Sequence, residues 1–218
     1  MAAEKAFLFD LNGTMIDDMD FHIKAWHGIL NELGANISMA QMKEECYGKN
    51  DELLERIFPG RFTEEEKTKM SYAKEAAYQE AFRPSLKLLD GLDEFLAGAY
   101  QKGIPMAIGS AAIHYNIDFV LDGLGLRHYF SSIIGAEDVS TSKPNPETYF
   151  KCADQLKMPY KNCIVFEDAP KGVEAAQNAG MQCVVLTTMH TAEEFGKYSN
   201  IIFFTSDYRD IQLHNLLR

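Results

Sequence analysis

From residue 84 to the C-terminus, short apolar runs alternate with amphipathic helical segments, and no other feature constrains the fold as strongly. The runs are Ile104 to Ile108, Ser132 to Ile134, Cys163 to Phe166, Cys183 to Leu186 and Ile201 to Phe204. Apolar spacing predicts helices over Leu92 to Gln101, Ile113 to Leu121, Pro146 to Leu156, Pro170 to Ala179 and Ile211 to Leu217. Strands joined through helices pair in parallel, which implies an α/β fold: a Rossmann-like parallel sheet covered on both faces. One further run, Phe7-Leu8-Phe9, precedes residues 17–83, whose pattern is helical. Within that block Phe21, Ala25, Trp26, Ile29, Leu30 and Leu33 recur at helical spacing until Gly34. Thr63 and Glu66 have the spacing of a reciprocal cap that opens a long helix to about Phe82. The expected organisation is a core from residues 1–16 and 84–218, with 17–83 as an inserted helical module.

The first run ends in Asp10-Leu11-Asn12-Gly13-Thr14, where Asn-Gly readily takes the positive φ of a tight turn. A buried strand thus delivers Asp10 to its carboxyl end, the edge where open parallel sheets bind ligands. Other strands end at that edge too: the second brings Ser110 and a later one brings Glu167 and Asp168. Lys143, ahead of Pro144-Asn145-Pro146, can reach it. Asp10 and Asp168 together make a hard, oxygen-rich site suited to Mg²⁺. A lysine beside them would offset the remaining charge, and Ser110 could offer donors to an anion. Such a set suits phosphoryl transfer to a carboxylate. Each member has an ordinary alternative: a solvated Lys143, Ser110 as a helix N-cap, and Glu167-Asp168 as an exposed turn. His22 and Trp26 share a helix face that looks either into a core or toward the first strand's end.

A net charge of -11 disfavours nucleic acid or an anionic membrane as partner. The four cysteines lack metal-ligand spacing and read as reduced core residues, and neither a secretion signal nor a membrane-spanning stretch is apparent. These features point to a cytoplasmic globular protein, expected to be a monomer, acting on a small molecule.

Phe9-Asp10-Leu11-Asn12-Gly13-Thr14, then Ser110, then Lys143-Pro144-Asn145-Pro146-Glu147, then Phe166-Glu167-Asp168-Ala169-Pro170-Lys171-Gly172 resemble the four ordered motifs of the haloacid dehalogenase superfamily. The chain is most similar to the β-phosphoglucomutase-like branch of phosphatases and mutases, which implies that the helical module is a cap domain. The resemblance further implies that Asp10 becomes an aspartyl phosphate. It places Mg²⁺ on Asp10, on the backbone carbonyl of Asn12 and on Asp168, with Glu167 near the metal. Ser110 and Lys143 would hold phosphoryl oxygens, and Thr14, His22, Trp26, Gly48, Asn50, Lys74 and Ala111 would bind substrate. The family's general acid and base is an aspartate two residues after the nucleophile, where this chain has Asn12, and an amide cannot exchange that proton. Tyr47-Gly48-Lys49-Asn50-Asp51 also lacks the arginine with which the mutase grips a second phosphate. The expectation is a Mg²⁺-dependent phosphatase of small phosphorylated metabolites, impaired at Asn12. The alternatives are a phosphomutase and a catalytically silent phospho-ligand sensor.

Overall fold

The structure, a computed structural model, describes residues 4–218. Its centre is one parallel sheet of six strands, β1 (Ala6–Phe9), β2 (Met106–Gly109), β3 (Ser132–Ile134), β4 (Cys163–Glu167), β5 (Gln182–Leu186) and β6 (Ile201–Thr205). Their spatial order is β3-β2-β1-β4-β5-β6. The chain therefore builds outward from β1 in one direction and then returns to its other side, so the switch in strand order falls between β1 and β4. In open α/β sheets the crevice at such a switch binds ligands.

The sheet is sealed on both faces, as its continuous apolar strands require. On one face Phe7 and Phe9 pack with Phe95, Phe166 and Tyr208, and α5 (Leu92–Gln101), α6 (His114–Gly123) and α9 (Ile211–Leu216) cover them. On the other, Leu8, Ala107 and Val165 meet α7 (Glu147–Leu156) and α8 (Pro170–Asn178) through Tyr149, Cys152 and Val173. Alternation along β1 sends Phe7 and Phe9 one way and Leu8 the other.

Four helices lie between β1 and α5: α1 (Met19–Glu32), α2 (Met39–Glu45), α3 (Asn50–Ile57) and α4 (Glu64–Phe82). They have a small core of their own in which Ile23, Trp26, Leu30, Met42, Leu53 and Leu54 are buried together. The reciprocal Thr63–Glu66 cap opens α4. Observed ends differ from the expected ones by a residue or two. For β2 the cause is local: Gly103 takes a positive φ, Ile104 N–H returns to the Ala99 carbonyl, and Pro105 has no N–H to offer a ladder. Cys152, Cys163 and Cys183 are buried free thiols, and Cys46 is partly buried. Among the described residues no helix is long and apolar enough to cross a membrane.

Candidate active site

Asp10 follows β1 directly, and its N–H donates to the Phe166 carbonyl of β4, so the backbone places it in the switch crevice. Glu167 ends β4 and Asp168 follows it. One carboxylate oxygen from each of Asp10, Glu167 and Asp168 lies within 4.8 Å of the others, and all three residues are buried. Two glycines permit this crowding. Gly13, at φ +75°, approaches so closely that a Cβ there would lie 2.1 Å from Asp168 Oδ2. A Cβ on Gly172 would lie 1.7 Å from Glu167 Oε1. Any side chain at either position would displace a carboxylate.

Lys143 donates to Asp10 Oδ1 at 2.6 Å and to Glu167 Oε1 at 2.7 Å, and it lies over the Tyr149 ring. Glu167 is further fixed by Tyr149 Oη at 2.7 Å and by the N–H groups of Asp168 and Ala169. Neither Lys143 as a solvated lysine nor Glu167-Asp168 as an exposed turn survives, since all three are buried. Ser110 is not an N-cap: Ile113 precedes α6, and the Ser110 hydroxyl instead accepts from Ala112 N–H.

Three buried carboxylates face one buried ammonium, and the imbalance shows in their acidity. Burial pushes Asp10 up to about 7; Lys143 opposes that shift and Glu167 adds to it. Asp168 is also pushed well above the carboxylate range, by burial and then by Glu167 and Asp10. Burial disfavours the Lys143 charge, yet Asp10 and Glu167 hold its pKa above the usual lysine value. A hard divalent cation would relieve this excess of negative charge, so the donor set fits one.

A cleft of about 130 Å³ opens onto this cluster. Asp10, Asn12, Ser110, Ala111, Lys143, Glu167 and Asp168 line its floor. His22, Trp26, Gly48, Asn50 and Lys74 come to it from the helical block. Trp26 therefore both packs in the small core and faces the cleft. Thr14 departs from the expected set: it is fully buried outside the lining, its hydroxyl donates to Asp168 Oδ1, and its carbonyl accepts from Tyr208. Its side chain contacts Asp168 and not the cleft.

Asp18, just ahead of α1, is central to the polar network. Its side chain caps nothing there. Instead Oδ2 accepts from Asn12 Nδ2 at 2.6 Å and from Tyr78 Oη at 2.5 Å, while Oδ1 accepts from Gly13 N–H at 3.2 Å. His22 Nε2 lies 3.2 Å from Oδ2, its Nδ1 lies 2.5 Å from Lys74 Nζ, and its ring stacks on Tyr78. Glu75 Oε1 accepts from Lys74 and Asn50. No motif in the sequence marks Asp18, Tyr78 or Glu75, because their partners are up to 60 residues away.

The family model described as haloacid dehalogenase-like hydrolase matches residues 7–186. The fructose-1-phosphate phosphatase YqaB of Escherichia coli is 29% identical over 81% of this chain and 93% of its own length. Validoxylamine A 7'-phosphate phosphatase of Streptomyces hygroscopicus is 31% identical over 87% of this chain and 88% of its own. Among solved structures, a β-phosphoglucomutase from Clostridium difficile superposes with a TM-score of 0.83 at 26% identity, covering 98% of this chain and 96% of that one. With its motif residues gathered at one crevice and these matches spanning nearly the whole fold, the chain belongs to the haloacid dehalogenase-like hydrolase family, in the β-phosphoglucomutase-like branch.

Proposed function

We propose that the chain is a Mg²⁺-dependent phosphatase of small phosphorylated metabolites, with Asp10 as nucleophile. The observation that carries this reading is the contact of Lys143 with both Asp10 and Glu167 beside Asp168, on the floor of a cleft. Asp10, Asp168 and the Asn12 carbonyl would hold the ion, with Glu167 nearby; bound there, it would offset the charge of the phosphoryl group. Lys143 favours the ionised form of Asp10, orients it and can hold a phosphoryl oxygen. The Ser110 hydroxyl faces the cleft and can donate to another. Asp10 would attack phosphorus as the bond to the leaving group breaks, and water would later cleave the aspartyl phosphate. Residues 17–83 would act as a cap over a core of 1–16 and 84–218, bringing His22, Trp26, Asn50 and Lys74 to the substrate. The phosphatases named above support a small phosphorylated substrate.

Asn12 gives this reading its character. General acid and base assistance contributes about 10²- to 10⁴-fold, and an amide supplies none of it. Turnover of alkyl phosphates should therefore be slow. A bisphosphate-dependent mutase is less well supported, because Lys49 in the loop before α3 is directed to the Val139 carbonyl and Asp51.

The test is phosphate release from sugar phosphates, nucleotides and acyl phosphates with Mg²⁺, alongside Asp10→Ala. Steady release that Asp10→Ala abolishes supports the phosphatase. Ligand binding without turnover would favour a sensor, and an isomerised phosphosugar a mutase.

A further inference from the structure

Lys143 sits in the segment between Val139 and Asn145, and what holds that segment comes partly from the helical block. Ser142, the residue before it, is buried. Its N–H donates to Glu52 Oε1 at 3.0 Å, and its hydroxyl donates to Glu52 Oε2. Glu52 is in the first turn of α3, where Oε2 also accepts Lys49 N–H at 3.1 Å. Lys49 Nζ reaches across to the Val139 carbonyl at 3.4 Å. The approach needs Gly48, whose φ is +78°: a Cβ there would lie 2.8 Å from Glu52 Oε2 and 2.9 Å from Ser142 Oγ.

Ties of this segment to the core differ in kind, and Asn145 N–H closes a turn within it on the Ser142 carbonyl. Ser140 and Thr141 donate to Glu147 at exposed positions, and Asn178 donates to the Pro144 carbonyl. Ser142 N–H, by contrast, is satisfied by the helical block. If that block moves away, the donor beside Lys143 loses its partner, and the segment loses the anchor that fixes its backbone on that side.

We infer that Glu52 is a positioning residue, which acts through Ser142 to fix Lys143 against Asp10 and Glu167 when the helical block is seated. The catalytic centre is then complete only with the block in place, although Glu52 does not line the cleft. A displacement of about 1 Å at a group that orients the nucleophile can cost on the order of 10²-fold in rate. The inference rests on the phosphatase reading for its rate readout and on the contact itself for its structural one.

The experiment compares full-length protein with Glu52→Ala, Glu52→Gln, Ser142→Ala and the Glu52→Ala/Ser142→Ala double variant, using acetyl phosphate and Mg²⁺. So small a substrate makes few contacts with the helical block, so simple loosening of that block would alter KM little and kcat little. Positioning predicts a fall in kcat of about tenfold or more in Glu52→Ala and a smaller fall in Ser142→Ala, which keeps the backbone N–H bond to Glu52. It also predicts no further loss in the double variant and substantial recovery in Glu52→Gln, whose amide oxygen still accepts from Ser142 N–H. Unchanged kcat, or losses that multiply in the double variant, would overturn the inference.

Hydrogen exchange read by mass spectrometry gives the second arm and needs no turnover. Glu52→Ala should speed exchange in the segment containing residues 139–145 while leaving β1 and β4 as protected as in the parent. Equal protection of that segment would overturn the inference even with phosphatase activity intact. If the parent releases no phosphate from any compound but the segment loosens in Glu52→Ala, the phosphatase reading fails and the coupling stands.

Discussion

Asn12→Asp restores the residue that the family pattern has at this position, but the structure predicts that it cannot be made alone without cost. Asn12 Nδ2 donates to Asp18 Oδ2 at 2.6 Å, and Asp18 is completely buried. Burial pushes the Asp18 carboxyl up, but hydrogen bonds from His22, Tyr78 and Asn12 outweigh it and hold the pKa below the usual value. An aspartate at 12 removes a charge-assisted donor, worth roughly 1.5–3 kcal/mol. It also sets a second carboxylate against the first; at 2.6 Å and an effective dielectric near 20 the repulsion is roughly 6 kcal/mol. The pair would relieve much of that by sharing one proton, leaving a net destabilisation of about 3 kcal/mol near pH 7.5. The sign follows from the shared proton. Its folded-state pKa is raised above the unfolded value, so the deficit is absent in acid and grows as pH rises. Exchanging the two residues, as Asn12→Asp/Asp18→Asn, rebuilds the amide–carboxylate contact in reverse, and the Tyr78 hydroxyl can turn to accept. That variant should recover most of the stability. It should also hydrolyse an alkyl phosphate about 10²-fold faster than the parent, because the carboxylate now stands two residues after the nucleophile. Urea unfolding in chelator at pH 5 and pH 7.5, with phosphate release in Mg²⁺, measures both. Asn12→Asp within about 0.5 kcal/mol of the parent at pH 7.5, with no advantage for the exchanged pair, would refute the coupling.

Other outcomes follow from the same cluster. Since Asp10 titrates near 7 and Asp168 is also raised, the metal-free site costs stability as pH rises from about 4 through 7, and a cation offsets this. The increase in melting temperature on adding Mg²⁺ should therefore be larger at pH 8 than at pH 5; an increase independent of pH would contradict the site. Asp10→Ala should abolish phosphate release while far-ultraviolet circular dichroism stays unchanged, because the residue lies beyond the end of β1 and outside the apolar clusters. Gly172→Ala should cost about 3 kcal/mol or more in urea unfolding, since its methyl group meets a carboxylate locked by Lys143 and Tyr149. A neutral result there would mean that α8 can shift freely from β4.

How much of this was legible in the sequence depended on how far apart the partners lie. Strands and helices were readable because their determinants are local: apolar runs, Thr63 with Glu66, and glycines such as Gly103 that close helices. Parallel topology then carried Asp10, Ser110 and Glu167-Asp168 to one edge without further information. Thr14 was expected at the cleft and instead contacts Asp168, 154 positions away, because a hydroxyl next to a motif looks the same whether it faces a ligand or a neighbouring carboxylate. Asp18 went unmarked for a similar reason, since an aspartate just ahead of a helix fits an ordinary cap while its side chain here turns back on Asn12 and Gly13. The exchange between these positions is the general point. A missing carboxylate at residue 12 reads as loss when one position is considered, but the fold supplies a buried carboxylate 2.6 Å from that amide. That carboxylate stands six positions on and accepts from Tyr78, Asn12 and Gly13 at once, which holds it in its ionised form. Rate and stability at this site must therefore be tested in the pair, since a substitution at either residue alone removes the partner that the other contacts.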